Sequence, residues 1–215
     1  MQDIECVIVD WGGVLTRSIN DSVASWMQQD GINEQIFESV ISQWLGPAAG
    51  LEAHFNPIHA LERGEIQVPD FEKRLAQELT LKSHHEFDHN GLLQRMFDHF
   101  EQAHDMRGLV YRVKKLGYKT ALLSNSWGNE YPREGWDEMF DVVVISGEVG
   151  MRKPERRIFQ YTLDKLEIPG SNSVFVDDVK MNIDAGVEVG LIGIHHETYE
   201  KTRSELEILL GTNLE

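Results

Sequence analysis

Five short, β-branched apolar runs constrain this chain more than any other feature of its sequence: residues 6–10, 120–124, 142–146, 174–177 and 191–194. Runs of this length with no polar alternation are strands buried on both faces, and helix-like segments lie between the last four, at 105–116, 132–140, 154–166 and 182–189. Gly117 and Gly190 close the first and last of these as C-terminal stops. Strands alternating with crossover helices predict a parallel sheet.

Residues 11–119, between the first and second runs, are far more than one crossover requires, so an inserted subdomain is expected there. Residues 21–29 before Gly31 and 33–45 before Gly46 read as capped amphipathic helices, with Ile36, Phe37, Val40, Ile41 and Trp44 at helical spacing. Asn56-Pro57 and the stretches 70–79 and 91–100 add further helices. The expected fold class is α/β: a Rossmann-like parallel sheet core, residues 1–16 and 103–215, carrying an inserted all-helical cap at 17–102.

The chain has 215 residues, enough for one domain with a modest insertion. Its single cysteine, Cys6, excludes an intrachain disulfide and favours a reducing setting, with core packing as its role. No stretch is long and apolar enough to span a bilayer, and the first residues do not read as a secretory leader. A soluble, cytoplasmic protein without a membrane partner is expected. A net charge of −16 repels phosphodiester backbones and argues against nucleic acid as ligand. A small anionic substrate would need local positive charge from a metal, a lysine or backbone amides.

Those groups stand at strand ends. Asp10 ends the first run, Ser124-Asn125-Ser126 the second and Asp177-Asp178 the fourth; Lys153 lies in the loop after the third. In a parallel sheet these ends share one edge, where ligands collect. Three carboxylates brought together repel unless a divalent cation neutralises them, and Mg²⁺, a hard ion that takes oxygen ligands, suits that role. Asp10 then serves as a nucleophile toward phosphorus, Ser124 and nearby backbone amides donate to phosphoryl oxygens, and Lys153 balances the anionic charge. The constellation fits phosphoryl transfer.

These residues, in this order, resemble the haloacid dehalogenase superfamily of Mg²⁺-dependent phosphohydrolases, and the resemblance covers nearly the whole chain. The helical insertion matches that family's C1 cap. The stretches Gly150-Met151-Arg152-Lys153-Pro154-Glu155, Val176-Asp177-Asp178 with Asn182 and Ala185-Gly186, and Glu62-Arg63-Gly64-Glu65-Ile66 resemble the subgroup containing bacterial glucose-1-phosphate phosphatases and the N-terminal phosphatase domain of soluble epoxide hydrolase. The resemblance implies a small phosphomonoester as substrate, a sugar phosphate or similar metabolite, and phosphate contacts from Ser124 and Asn125. It implies a metal held by Asp10, the Gly12 carbonyl and Asp178, with Asp177 acting directly or through water.

Gly12 departs from the pattern. Most phosphatases of the resembling family carry an aspartate there, which protonates the leaving oxygen and then activates water. Losing such a group costs on the order of 10²–10⁴-fold, so slow turnover of poor leaving groups is expected unless another group substitutes. Some members of the resembling subgroup also have glycine, so inactivity does not follow. The missing acid counts against a phosphomutase. Two further readings stay open: a phosphometabolite-binding protein with negligible turnover, and a 2-haloacid dehalogenase, for which the Asp177-Asp178 pair has no use. Asn182 reads as a brace for the loop around Asp177, Arg152 as exposed or structural, and Trp11 as either packing beneath the cap or lining the cavity. Glu62 and Arg63 are explained equally by substrate contact or by a helix-ending turn at Gly64. The histidines, including His195 and His196, read as solvated surface.

Overall fold

The computed structural model describes residues 3–45 and 56–215. Strands β1 (Cys6–Val9), β2 (Lys119–Ser124), β3 (Val142–Ile145), β4 (Ser173–Asp177) and β5 (Ile192–His195) form one sheet in the order β3-β2-β1-β4-β5, with every neighbouring pair parallel. Between β1 and β2 lie helices α1 (Ile19–Asp30), α2 (Glu34–Leu45), α3 (Pro57–Glu62), α4 (Val68–Ser83) and α5 (Leu92–Phe97), followed by α6 (His104–Lys115). Beyond β2 come α7 (Trp136–Met139), α8 (Ser146–Val149), α9 (Arg156–Leu166), α10 (Lys180–Glu188) and α11 (Tyr199–Leu210).

The apolar runs are continuous because both faces of the sheet are covered. Val7, Val9, Leu122 and Val176 point to one face, against Met106 and Leu109 of α6 and Leu206 of α11. Cys6, Ile8, Leu123 and Phe175 point to the other, against Ile158 and Phe159 of α9 and Ile183 of α10. Helices α1–α5 share a separate cluster that includes Trp26, Val40, Phe71, Leu75 and Leu92. The chain leaves and re-enters the sheet layer at one place: Thr16 and Gln102 form an antiparallel bridge, the Arg17 amide donates to the Glu101 carbonyl at 2.8 Å, and the Ala103 amide donates to that of Leu15 at 2.9 Å.

Several segments differ from expectation. The stretch 132–140 contains only the single turn α7, because Gly135 adopts a left-handed conformation (φ 75°) immediately before it. The loop that precedes it carries Tyr131 back to the sheet edge, where its ring meets Trp11 and Trp136. α4 is longer than its apolar pattern, from Val68 with Pro69 in its first turn to Ser83, and α5 is shorter, ending at Phe97. Gly46, read as the stop for α2, lies outside the described residues. Among the described residues no helix is long and apolar enough to cross a membrane.

Candidate active site

Strand register places the first two carboxylates. Val9 pairs with Val176, so Asp10, one residue on, stands level with Asp177 at the carboxyl edge of the sheet, and its amide donates to the Val176 carbonyl at 2.9 Å. β1 and β4 flank the point where successive strands stop adding on one side of β1 and begin on the other, the crevice where open α/β sheets bind ligands. Into this crevice comes Lys153, fully buried, its Nζ 2.9 Å from Asp10 Oδ1 and 2.7 Å from Asp177 Oδ2. Burial would lower the lysine's pKa, but the two carboxylates outweigh it and hold the ammonium above its usual range. Burial pushes Asp10 upward, opposed by Lys153 and reinforced by Asp177 and Asp178.

Neighbours hold these groups in place. The Lys153 amide donates to Asn125 Oδ1 at 2.8 Å and Asn125 Nδ2 donates to the Lys153 carbonyl at 3.0 Å, so the asparagine clasps the lysine's own peptide unit. Asp177 accepts from Asn182 Nδ2 at 3.1 and 3.2 Å and from the Val179 amide at 2.8 Å, engaging both its oxygens with protein donors. Asn182 therefore braces Asp177. Asp10 Oδ1 also accepts from the Trp11 amide at 2.7 Å.

Asp178 is different. Its Oδ1 is buried without a hydrogen-bond partner, and burial followed by the nearby Asp177 charge pushes its pKa up to about 6. Its carboxylate packs where a side chain on Gly13 (φ 71°) would stand, so only glycine admits it there. One oxygen from each of Asp10, Asp177 and Asp178 falls within a 4.8 Å group. Three carboxylates against one ammonium, with one buried anionic oxygen unpaired, form a hard-oxygen set suited to a divalent cation such as Mg²⁺.

The remaining sequence-derived residues are less uniform. Ser124 is buried, with its hydroxyl 3.0 Å from that of Tyr131, and it does not line the cavity that contains Asp10. Gly12 lies on that wall, and a Cβ there would come within 2.9 Å of Ile19 Cδ1 from α1. Trp11 does both things expected of it, lining the cavity and stacking on Phe100 at 6.0 Å. The cavity, about 330 Å³, opens between the sheet edge and helices α1, α2 and α5.

Sequence reasoning left Glu62 unassigned and missed Tyr131. Glu62 is buried on the cavity wall, accepting from Trp127 Nε1 at 3.2 Å and ion-paired with Arg152. Its neighbour Arg63 pairs with Glu155 at 3.0 Å, and Gly64 packs so closely on the Gly147 carbonyl that a Cβ would lie 2.7 Å from it. The end of α3 thus docks directly onto the loop that carries Lys153. His195 and His196 are half-buried, not solvated: His195 Nε2 donates to the Asp178 carbonyl at 2.9 Å because β5 pairs it with Asp177, and His196 Nδ1 lies 2.8 Å from Thr202 Oγ1. Apart from Thr202, each of these partners is remote in sequence, so no local pattern announces it.

A parallel α/β sheet whose carboxyl edge gathers a lysine and three aspartates beneath a layer of helices is an arrangement that can present a carboxylate to an electrophile in the crevice. The model of the haloacid dehalogenase-like hydrolase family matches residues 4–190, and the chain belongs to that family. Among its relatives, acyl-CoA dehydrogenase family member 10 of Mus musculus is 29% identical over 218 residues, covering 95% of this chain and 19% of that protein. This chain therefore spans about a fifth of that relative's length. D-ribitol-5-phosphate phosphatase of Bacteroides thetaiotaomicron is 28% identical over 167 residues, 71% of this chain and 77% of that one. A crystal structure of a family enzyme from the same organism, in complex with magnesium and inorganic phosphate, aligns with a TM-score of 0.63 at 17% identity, over 90% of this chain and 94% of that one.

Proposed function

We propose that the protein is a Mg²⁺-dependent phosphohydrolase that cleaves a small phosphomonoester through an aspartyl-phosphate on Asp10. The carrying observation is the buried Lys153 ammonium, 2.9 Å from Asp10 and 2.7 Å from Asp177, beside the unpaired oxygen of Asp178. Family membership supports the reading, as do relatives named as phosphatases for D-ribitol-5-phosphate and for sesquiterpenes.

Asp10 attacks phosphorus, the bond from phosphorus to the ester oxygen breaks, and that oxygen leaves and takes up a proton. Water then attacks phosphorus, the bond to Asp10 breaks, and inorganic phosphate departs with the carboxylate restored. Because Oδ1 is held by the Trp11 amide and Lys153, the carboxylate plane is fixed and Oδ2 is presented to the substrate. Lys153 opposes the upward push of burial on Asp10 and faces the negative charge of the phosphoryl group. Asp10, Asp178 and the Gly12 carbonyl would hold Mg²⁺, with Asp177 bracing Lys153 and the loop; the ion supplies further electrostatic stabilisation of the phosphoryl oxygens. Ser124, whose hydroxyl lies 3.0 Å from that of Tyr131, would donate to that group, whereas Asn125 acts by positioning Lys153. The helical segment 17–102 acts as the cap, excluding bulk water from the cleft.

The test is Mg²⁺-dependent phosphate release from a panel of phosphomonoesters by the wild-type chain and by Asp10→Asn. Equal rates from the two proteins would remove the proposal. Halide release from 2-haloacids in the presence of a chelator would replace it with the dehalogenase reading.

A further inference from the structure

We infer that the alcohol portion of the substrate is apolar: the site takes phosphomonoesters of a hydrocarbon-rich alcohol in preference to sugar phosphates. The inference rests on the phosphohydrolase reading and concerns which ester that site accepts.

The wall facing Asp10 across the cavity is built from Ile19 and Val23 of α1, Phe37 and Ile41 of α2, Phe97 of α5 and Phe100 just beyond it. All six are half-buried. Val23, Phe37, Ile41, Phe97 and Phe100 rest against the apolar cluster of α1–α5, so packing already covers part of each and the cavity receives the rest. On the sheet side Trp11, stacked on Phe100 with the rings 10° from parallel, continues the same surface.

Most of the polar groups on the wall are already committed. Asn125 is clasped to the Lys153 peptide unit, Asn182 to Asp177, and Glu62 to Arg152 and Trp127. Asn20 is exposed. Asn129 accepts through Oδ1 from Ser126 Oγ and the Trp127 amide, both at 3.3 Å, and its Nδ2 is a buried donor without a partner. That one amide nitrogen has two N–H groups and can serve at most two acceptors, such as an ester and a phosphoryl oxygen. A polyol brings several hydroxyls, and each left unpaired away from water lowers affinity roughly five- to hundred-fold.

The position of Gly12 agrees. The space that a side chain there would enter, beside the leaving oxygen, is occupied by the terminal methyl of Ile19. The cavity, about 330 Å³, falls at the lower end of small-molecule sites, which run from roughly 300 to 1,000 Å³. With the phosphoryl group seated at Asp10, the remaining volume suits a compact hydrocarbon group.

The experiment uses the full chain with Mg²⁺ and a series of n-alkyl phosphates from ethyl to octyl, whose leaving groups share nearly one acidity, alongside glucose 1-phosphate, ribitol 5-phosphate and glycerol phosphate. The expected result is a kcat/KM that rises roughly four-fold per methylene until the cavity is full, with hexyl phosphate exceeding every polyol phosphate. In Ile41→Asn the preference for hexyl over ethyl phosphate should fall at least ten-fold. A flat or falling series, or a polyol phosphate that outperforms hexyl phosphate, overturns the inference while Asp10-dependent turnover leaves the phosphohydrolase standing. Absence of Asp10-dependent turnover on every ester overturns both.

Discussion

Ile19 fills the space that a side chain at position 12 would occupy: a Cβ built on Gly12 would lie 2.9 Å from its Cδ1. A residue of α1 thus stands where the resemblance leads one to expect a carboxylic acid, and the glycine is matched to its neighbour. Because the clash is with the far end of a rotatable side chain, an aspartate can be admitted by moving that methyl. We predict that Gly12→Asp combined with Ile19→Ala raises turnover of an alkyl phosphate by on the order of 10- to 100-fold, with less effect on an aryl phosphate whose leaving group needs little protonation. Steady-state phosphate release from both esters checks it, and equal gains on the two would show that proton transfer does not limit the rate.

Removing Lys153 leaves Asp10 and Asp177 facing each other in a buried crevice. Lys153→Met should cost about 3–5 kcal/mol of stability, the usual penalty for an orphaned buried charge, and should abolish turnover. Adding Asp177→Asn relieves the repulsion, so the double variant should recover part of the urea midpoint and none of the activity. Urea denaturation with a parallel activity assay separates these two outcomes.

Mg²⁺ alone should stabilise the folded chain, because Asp178 Oδ1 is buried and unpaired without a cation. At a hundred times its dissociation constant, a ligand selective for the folded state adds about 2.7 kcal/mol. Thermal denaturation with increasing Mg²⁺ should show a rising midpoint for the wild type and a much smaller rise for Asp178→Asn. A similar rise in both proteins would place the cation elsewhere.

Glu62 links the helical segment to the Lys153 loop through Arg152 and Trp127. Glu62→Gln should weaken that link and raise KM more than it lowers kcat, since none of these groups touches phosphorus in the proposed mechanism. A double-mutant cycle with Arg152→Met should return a coupling of about 1–3 kcal/mol. A cycle that closes to zero would mean that the two side chains act independently.

Burial, followed by the charges of Arg152 and Arg63, pushes the pKa of His59 down to about 4 from its ordinary 6.5. Between these values the unfolded chain binds the proton and the folded chain does not, so this contribution is full above pH 6.5 and is lost as pH falls toward 4. His59 is half-exposed, and after solvent screening the contribution is about 1 kcal/mol. Relative to the wild type, His59→Gln should therefore lose less stability between pH 7 and pH 5 in urea titrations. Parallel curves for the two proteins would contradict the shift.

The strands were legible because a sheet covered on both faces needs uninterrupted apolar runs, which no helix pattern in this chain imitates. The ends of β1, β3 and β4 followed, and with them the convergence of Asp10, Lys153, Asp177 and Asp178 on one edge. The stretch 132–140 misled because its residue types suit a helix while Gly135 takes a left-handed conformation. Asn125 and Ser124 were located by sequence, but their hydrogen bonds turn them toward Lys153 and Tyr131. The sequence alone determined the parallel architecture and which acidic and basic groups would meet, because periodicity and strand-end position are local properties of the chain. Only the tertiary structure decided that Arg152 pairs with Glu62, that Ile19 occupies the space beside Gly12, and that the cavity is apolar. Each of those depends on how separate elements come together, which is decided by packing and by the need to pair buried charge and not by a local pattern.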